Sequence, residues 1–219
     1  MVSSTRTRVI IGIAAAVWFF VALAAGQDGA LDVSLRTFSL AGSIVAFVFA
    51  IYDKYLWKLK PVRQFTGKPL VEGTWRGVLQ SDYVRPGETE VIDPIPTVIR
   101  ITQTDSKLLI TQFTNESTSI TEQGELTKEA DGRWRLSWLY RNEPRLTIQN
   151  RSDVHRGAAD LWITGPNGCE LQGGYFTSRK TRGDFTFTEW SAHSFTDAKA
   201  ALESSDFGEA KPFVKEAHF

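Results

Sequence analysis

The sequence predicts two N-terminal transmembrane α-helices followed by an all-β, roughly eight-stranded antiparallel up-and-down β-barrel. Three observations carry this expectation. Two long apolar runs are confined to the first quarter of the chain; short alternating segments rich in Thr, Val, Ile, Phe and Trp follow Pro69; and Gly-, Asn-, Asp- and Ser-bearing turns separate them at hairpin spacing. With 219 residues and 42% hydrophobic content, the chain can hold one ordinary domain and a short appendage.

The first apolar run, Val9 to Ala25, is uncharged and spans about 26 Å at 1.5 Å per residue, enough to cross a slightly thinned bilayer. The connecting stretch Gly26 to Asp32 is acidic and turn-forming. Val33 to Tyr52 is apolar apart from a few hydroxyls and Arg36, which can snorkel to an interface. Tyr52, Tyr55 and Trp57 read as an aromatic belt beside the basic cluster Lys54, Lys58, Lys60 and Arg63. Arg6 and Arg8 before the first run, and that cluster after the second, place both termini in the cytoplasm. A cleaved signal peptide ending near Ala22 to Ala25 is the rival reading; the second apolar run and the lone Cys169 argue for retention. As function, a passive anchor and an active pore fit the two helices alike. Gly42 and Ser43, with Ala41 and Ala46, would permit close helix packing. The expected organisation is a helical hairpin over 1–60, a linker over 61–70, the barrel over 71–195 and a polar tail over 196–219. Within that tail AKAALESSDF forms a short helix or stays disordered.

Strands are expected near Gly73–Ser81, Thr97–Thr104, Lys107–Thr114, Ser119–Leu126, Arg133–Tyr140, Ala158–Ile163, Glu170–Ser178 and Gly183–Thr188. Turns at Thr104–Ser106, Ala130–Gly132, Gly165–Gly168 and Lys180–Gly183 make consecutive hairpins, hence an antiparallel meander. About eight such strands can close around side chains or one small ligand, and closure removes exposed edges. Period-2 alternation puts Leu171, Gly173, Tyr175, Thr177 and Arg179 on one face, running from apolar to aromatic to hydroxyl to cation. Trp75, Gly77, Leu79, Ser81 and Tyr83 repeat the gradient, and Trp138, Tyr140 and Asn142 echo it. Gly77 and Gly173 are expected to leave interior room. The opening Gly73-Thr74-Trp75 is similar to the first strand of lipocalin-like barrels, which puts Trp75 in the floor.

Charge and motifs exclude several function classes. The 25 basic and 25 acidic residues balance, so no broad basic field holds polymeric nucleic acid, although a small anion needing one or two arginines fits. His155, His193 and His218 are widely separated and no metal-ligand spacing, phosphate loop or nucleophile elbow occurs. No catalytic residue, no metal and no cofactor are therefore expected, and the chain reads as a non-enzyme.

The segments Gly73-Thr74-Trp75-Arg76-Gly77, Ile101-Thr102-Gln103-Thr104, Phe113-Thr114-Asn115-Glu116-Ser117-x-Ser119, Leu139-Tyr140-Arg141-Asn142-Glu143-Pro144, His155-Arg156-Gly157 and Gly174-Tyr175-Phe176-Thr177-x-Arg179-x-Thr181-x-Gly183 occur in that order behind two apolar runs. The ordered set resembles the two-transmembrane, β-strand-rich membrane effectors associated with bacterial CD-NTases in CBASS phage defence. The resemblance implies that a CD-NTase makes a cyclic dinucleotide on infection and that the barrel binds it. It further implies that the effector oligomerises and disrupts the bacterial inner membrane, giving abortive infection.

A cyclic dinucleotide offers two phosphates, two base faces and ribose hydroxyls, so its site needs a cation, stacking aromatics and hydroxyl or amide partners. Tyr83, Ser117, Tyr140, Asn142, Thr177 and Arg179 supply these groups near the expected mouth. Arg179 is the first choice for phosphate because its planar fork matches phosphate oxygens; Arg182 and Arg141 are alternatives. Tyr83 and Tyr140 fit packing as well as stacking, Asn142 and Pro144 fit a turn, and His155 fits a structural hydrogen bond better than a ligand contact. Two rival functions stay open: a membrane-tethered carrier of a small apolar molecule, and a structural barrel filled by Trp75, Tyr175 and Phe185 that binds nothing.

Overall fold

The computed structural model describes residues 4–24, 35–85, 87–165 and 168–209. The acidic connection at 26–32, Val33, the Pro166–Asn167 pair and residues 210–219 lie outside the described residues. The chain divides into two units, Met1–Lys68 and Pro69–Phe219.

The first unit is helical. Helix α1 runs Ser4–Ala24, α2 runs Leu35–Lys54, a 3₁₀ turn covers Leu56–Lys58, and α3 spans Lys60–Thr66. Pro61 sits in the first turn of α3, where its missing N–H costs nothing, and Gly67 at φ 67° closes the helix by donating its N–H to Arg63 O at 2.7 Å. Among the described residues no helix is long and apolar enough to cross a membrane. The two transmembrane helices expected from the sequence, and with them the two-pass inner-membrane placement with cytoplasmic termini, are therefore corrected. The physical reason is length and polarity. The uncharged part of α1, Val9 to Ala24, covers only about 24 Å at 1.5 Å per residue, against a hydrocarbon core of roughly 30 Å. The sequence of α2 is broken by Arg36, Thr37, Ser39 and Ser43 and ends on Asp53 and Lys54. The expected aromatic belt is corrected too: Tyr52 and Trp57 are buried and only Tyr55 is exposed. Lys68 lies 5.5 Å from the centroid of the Trp57 ring, a cation–π contact.

The second unit is the barrel. Its strands are β1 (Gly73–Ser81), β2 (Ile95–Gln103), β3 (Leu108–Phe113), β4 (Ser117–Lys128), β5 (Trp134–Pro144), β6 (His155–Thr164), β7 (Glu170–Thr177) and β8 (Arg182–Ser191). Each pairs antiparallel with the next, and β1 pairs with β8 to close the sheet. All eight expected strands are present. Strands β4, β5, β6 and β8 extend beyond their expected ends because the ladder continues through polar residues, for example Ser117↔Pro144 and Asn142↔His155.

The closed end is built around Trp75, which is fully buried and donates its indole N–H to Val71 O at 2.9 Å. Gln103, also buried, accepts from Val71 N–H at 2.8 Å and donates to Pro69 O at 3.0 Å, which ties the incoming chain across the floor. Outside the barrel residues 198–209 dock against it. Helix α4 (Ala198–Glu203) buries Ala198 and Ala201, and a short strand β9 (Gly208–Glu209) pairs with β8. Arg76 joins these parts: its Nε and Nη2 hold Glu189 at 2.7 and 3.0 Å while Nη1 donates to Leu202 O and Ser204 O, each at 3.1 Å. The same guanidinium caps the Phe207 ring and holds the Glu189 carboxyl below its ordinary value.

The expected role of Gly77 and Gly173 as makers of interior room is corrected. A Cβ at Gly77 would overlap the Thr186 carbonyl on β8, and one at Gly173 would overlap the Asp160 carbonyl on β6. These glycines let neighbouring strands approach. Gly173→Ala should therefore cost about 1–3 kcal/mol of stability through forced strand displacement, measured as a lower urea midpoint at unchanged slope.

Candidate ligand-binding cavity

The inward face of each strand changes character toward the same end of the barrel. Along β5 it reads Leu136, Trp138, Tyr140, Asn142, and along β7 Leu171, Gly173, Tyr175, Thr177. Antiparallel order brings the end of β3 and the start of β4 to that same level, adding Gln112, Ser117 and Ser119. The apolar end is filled by stacked rings, with Phe185 5.6 Å from Phe187 and 5.1 Å from Tyr175. The polar end is a cavity of 820 Å³, within the ~300–1,000 Å³ typical of small-molecule sites.

All six residues singled out from the sequence line this one cavity. Arg179 stands on the β7–β8 turn, where Lys180 takes φ 63° and so bends the chain sharply enough to present its neighbour at the mouth. Arg179 Nη1 donates to Ser152 Oγ at 2.6 Å, and its guanidinium carbon lies 5.9 Å from the Tyr83 ring centroid. The Thr177 hydroxyl pairs with that of Thr181 at 2.7 Å. Asn142 Nδ2 donates to both Ser117 Oγ at 3.0 Å and Ser119 Oγ at 2.9 Å. Tyr140 is 4% exposed. Its ring packs on Gly157, where any Cβ would strike Tyr140 Cζ and hydroxyl, and that hydroxyl has no partner among the described residues. Burial, then the nearby Tyr175 phenol, push the Tyr140 hydroxyl far above its ordinary value, so it stays a protonated donor.

Charge at the mouth is largely cancelled. Arg151 pairs with Glu116 at 2.5 Å and Arg85 with Glu88 at 3.5 Å. Of the arginines lining the cavity, Arg179 alone has no carboxylate partner among the described residues. The alternatives do not reach the cavity wall: Arg182 pairs with Asp82 at 3.2 Å and Arg141 with Glu143 at 2.7 Å. The guanidinium of Arg179 on the lining, without a carboxylate partner among the described residues, argues against a carrier of an apolar molecule, and an open cavity above the stacked rings does not fit a filled barrel.

Gln112, Ser119, Tyr175 and His155 also line the cavity and were not among the selected residues. Gln112 and Ser119 share the inward phase of Ile110 and Ser117, so extending the alternation past the apolar run would have found them. Tyr175 donates to Ser81 Oγ at 2.9 Å. The Nδ1–H of His155 donates to Asp153 O at 2.8 Å, since that carbonyl can only accept.

A closed antiparallel barrel with a packed floor and one polar, singly cationic mouth defines a receptor for a small polar ligand. Residues 66–189 match the family described as Cap15, cyclic dinucleotide receptor domain. The match runs from the end of α3 through β8, over more than half of the chain, and the chain belongs to this family. CD-NTase-associated protein 15 of Staphylococcus schleiferi is 27% identical over 158 residues, covering 72% of this chain and 79% of that protein. The resemblance to CD-NTase-associated effectors thus stands.

Burial, and secondarily Arg179, hold the His155 imidazole below its ordinary 6.5, although its bond to Asp153 opposes the shift. As pH falls below about 6.5 the unfolded chain takes up a proton that the folded chain resists, so stability declines through that window. Thermal unfolding between pH 7.5 and 5 should show a smaller decline in His155→Gln than in the parent; an equal decline would exclude His155 as a contributor.

Proposed function

We propose that this chain is an antiphage effector of the CBASS type that binds a cyclic dinucleotide in its barrel and acts by binding alone, without a catalytic step. The observation that carries the reading is Arg179: a guanidinium with no carboxylate partner, held against the Tyr83 ring at the mouth of a cavity sized for one small ligand. Membership of a cyclic dinucleotide receptor family supports it. In this reading Arg179 takes a phosphate and Tyr83 and Tyr140 offer a ring face or hydroxyl. Ser117, Asn142 and Thr177 meet ribose and base polar groups. The ligand comes from a CD-NTase partner, as the name of the similar staphylococcal protein suggests.

The proposed output is self-association of the liganded chain followed by damage to a lipid bilayer and abortive infection. Trp18, Phe19, Phe20 and Leu23 of α1 and Phe47 of α2, each at least half exposed, support an apolar contact of this kind.

Calorimetric titration of the purified full chain with a panel of cyclic dinucleotides should show saturable binding of at least one member. Arg179→Ala should weaken it roughly ten- to hundredfold, the usual cost of a lost charge-assisted contact. Absence of binding by the whole panel would overturn the receptor assignment. Dye release from liposomes should depend on that same nucleotide and fall with Arg179→Ala; release without nucleotide would separate bilayer damage from sensing.

A further inference from the structure

Four inward residues from four adjacent strands form one row across the cavity wall. Gln112 on β3 is the register partner of Ser119 on β4, Ser119 of Asn142 on β5, and Asn142 of His155 on β6. All four line the cavity, and successive members stand about 4.5–5.5 Å apart at Cα.

The hydrogen bonds behind the row fix what it presents. Thr97 Oγ1 lies 3.3 Å from the Phe113 carbonyl, which can only accept, so the Thr97 hydrogen is committed there. Thr97 Oγ1 must then accept from the neighbouring amide at 3.1 Å, which makes Nε2 the anchored atom of Gln112 and leaves Oε1 without a partner among the described residues. Gln112 is 5% exposed, so this carbonyl is an almost buried acceptor that protein does not satisfy. Asn142 places Nδ2 3.0 and 2.9 Å from the Ser117 and Ser119 hydroxyls, which leaves Oδ1 without a partner among the described residues. His155 has its proton on Nδ1, bonded to Asp153 O, which leaves Nε2 as a lone-pair acceptor. Acceptors therefore outnumber donors along the row, with the Ser119 hydroxyl as its one donor.

A phosphate is all acceptor and is disfavoured there; it belongs at Arg179, on the β7–β8 turn beyond the His155 end of the row. The group that satisfies a row of carbonyl and imidazole acceptors is an N–H donor on the edge of a base. Resting on the cyclic-dinucleotide reading above, we propose that the Gln112–Ser119–Asn142–His155 row selects a nucleobase carrying an exocyclic amine and rejects the same base without it. A buried acceptor left unpaired by the deaminated ligand supplies the discrimination.

The test titrates the full chain with cyclic di-AMP and cyclic di-GMP, each beside its analogue in which the exocyclic amine is replaced by hydrogen. The aminated member of at least one pair should bind roughly tenfold or more tightly, one lost hydrogen bond to a buried acceptor being worth about that factor. Gln112→Met or Asn142→Leu should shrink the gap to less than about threefold, mainly by weakening the aminated ligand. Binding of both members of each pair with equal affinity overturns this inference and leaves the receptor assignment standing. A gap that persists undiminished in both variants also overturns the inference. No binding by any of the four overturns the receptor assignment for these purine ligands and the inference with it. The comparison of ligands on the parent chain needs no variant to fold.

Discussion

The pairing of β1 with β8 is the constraint on which the rest of the barrel depends. It converts an open eight-stranded sheet with two sticky edges into a closed surface with an inside. The seam is tight: a Cβ at Gly77 would enter the Thr186 carbonyl of β8, and one at Gly183 would enter the Gln80 carbonyl of β1. It is then fastened on both faces. Inside, Tyr175 reaches across to Ser81; outside, Arg76 grips Glu189 and the tail together. Closure fixes the stagger of every strand, and a one-residue slip would turn each inward side chain outward. The alignment of Gln112, Ser119, Asn142 and His155 at one level follows from that fixed register.

The eight strands and the six wall residues were legible because both are written in a local period of two. Polar residues at the same end of successive antiparallel strands meet by topology alone, so Tyr140 and Thr177 needed no long-range knowledge to be placed together. Ser119 was legible in the same way: it shares the inward phase of Ser117, and the register shift between Thr121 and Gln123 lies beyond both. Docking of the tail through Arg76 had no local signal, since its partners lie 113 to 128 residues away in sequence. The N-terminal reading went wrong where composition was read without context. Tyr52 and Trp57 beside lysines look the same in sequence whether they face an interface or are buried, and burial is what the fold shows.

Much of the cavity wall is already hydrogen-bonded to itself: Tyr175 to Ser81, Thr177 to Thr181, Asn142 to Ser117 and Ser119, Gln112 to Thr97. Such a wall is preorganised, so a ligand does not have to order it, and affinity depends on the few atoms left over. Those atoms are of opposite kinds. The Arg179 guanidinium and the Tyr140 hydroxyl supply donors, and the Gln112 and Asn142 carbonyls supply acceptors.

A wall that rigid also limits how binding can be transmitted. A ligand shifts an assembly equilibrium only by contacting the two states differently, and a closed barrel with a packed floor offers few alternative arrangements below the mouth. If the liganded chain self-associates as proposed, the difference is expressed at the rim, in the β1–β2 and β5–β6 connections. There Val84, Val91, Leu146 and Val154 are exposed, Leu146 at 85%, beside the ion pairs Arg85–Glu88 and Arg151–Glu116. Arg179 donates to Ser152 of that same rim, so in the proposed reading the cation assigned to the phosphate is bonded to a segment with exposed apolar surface.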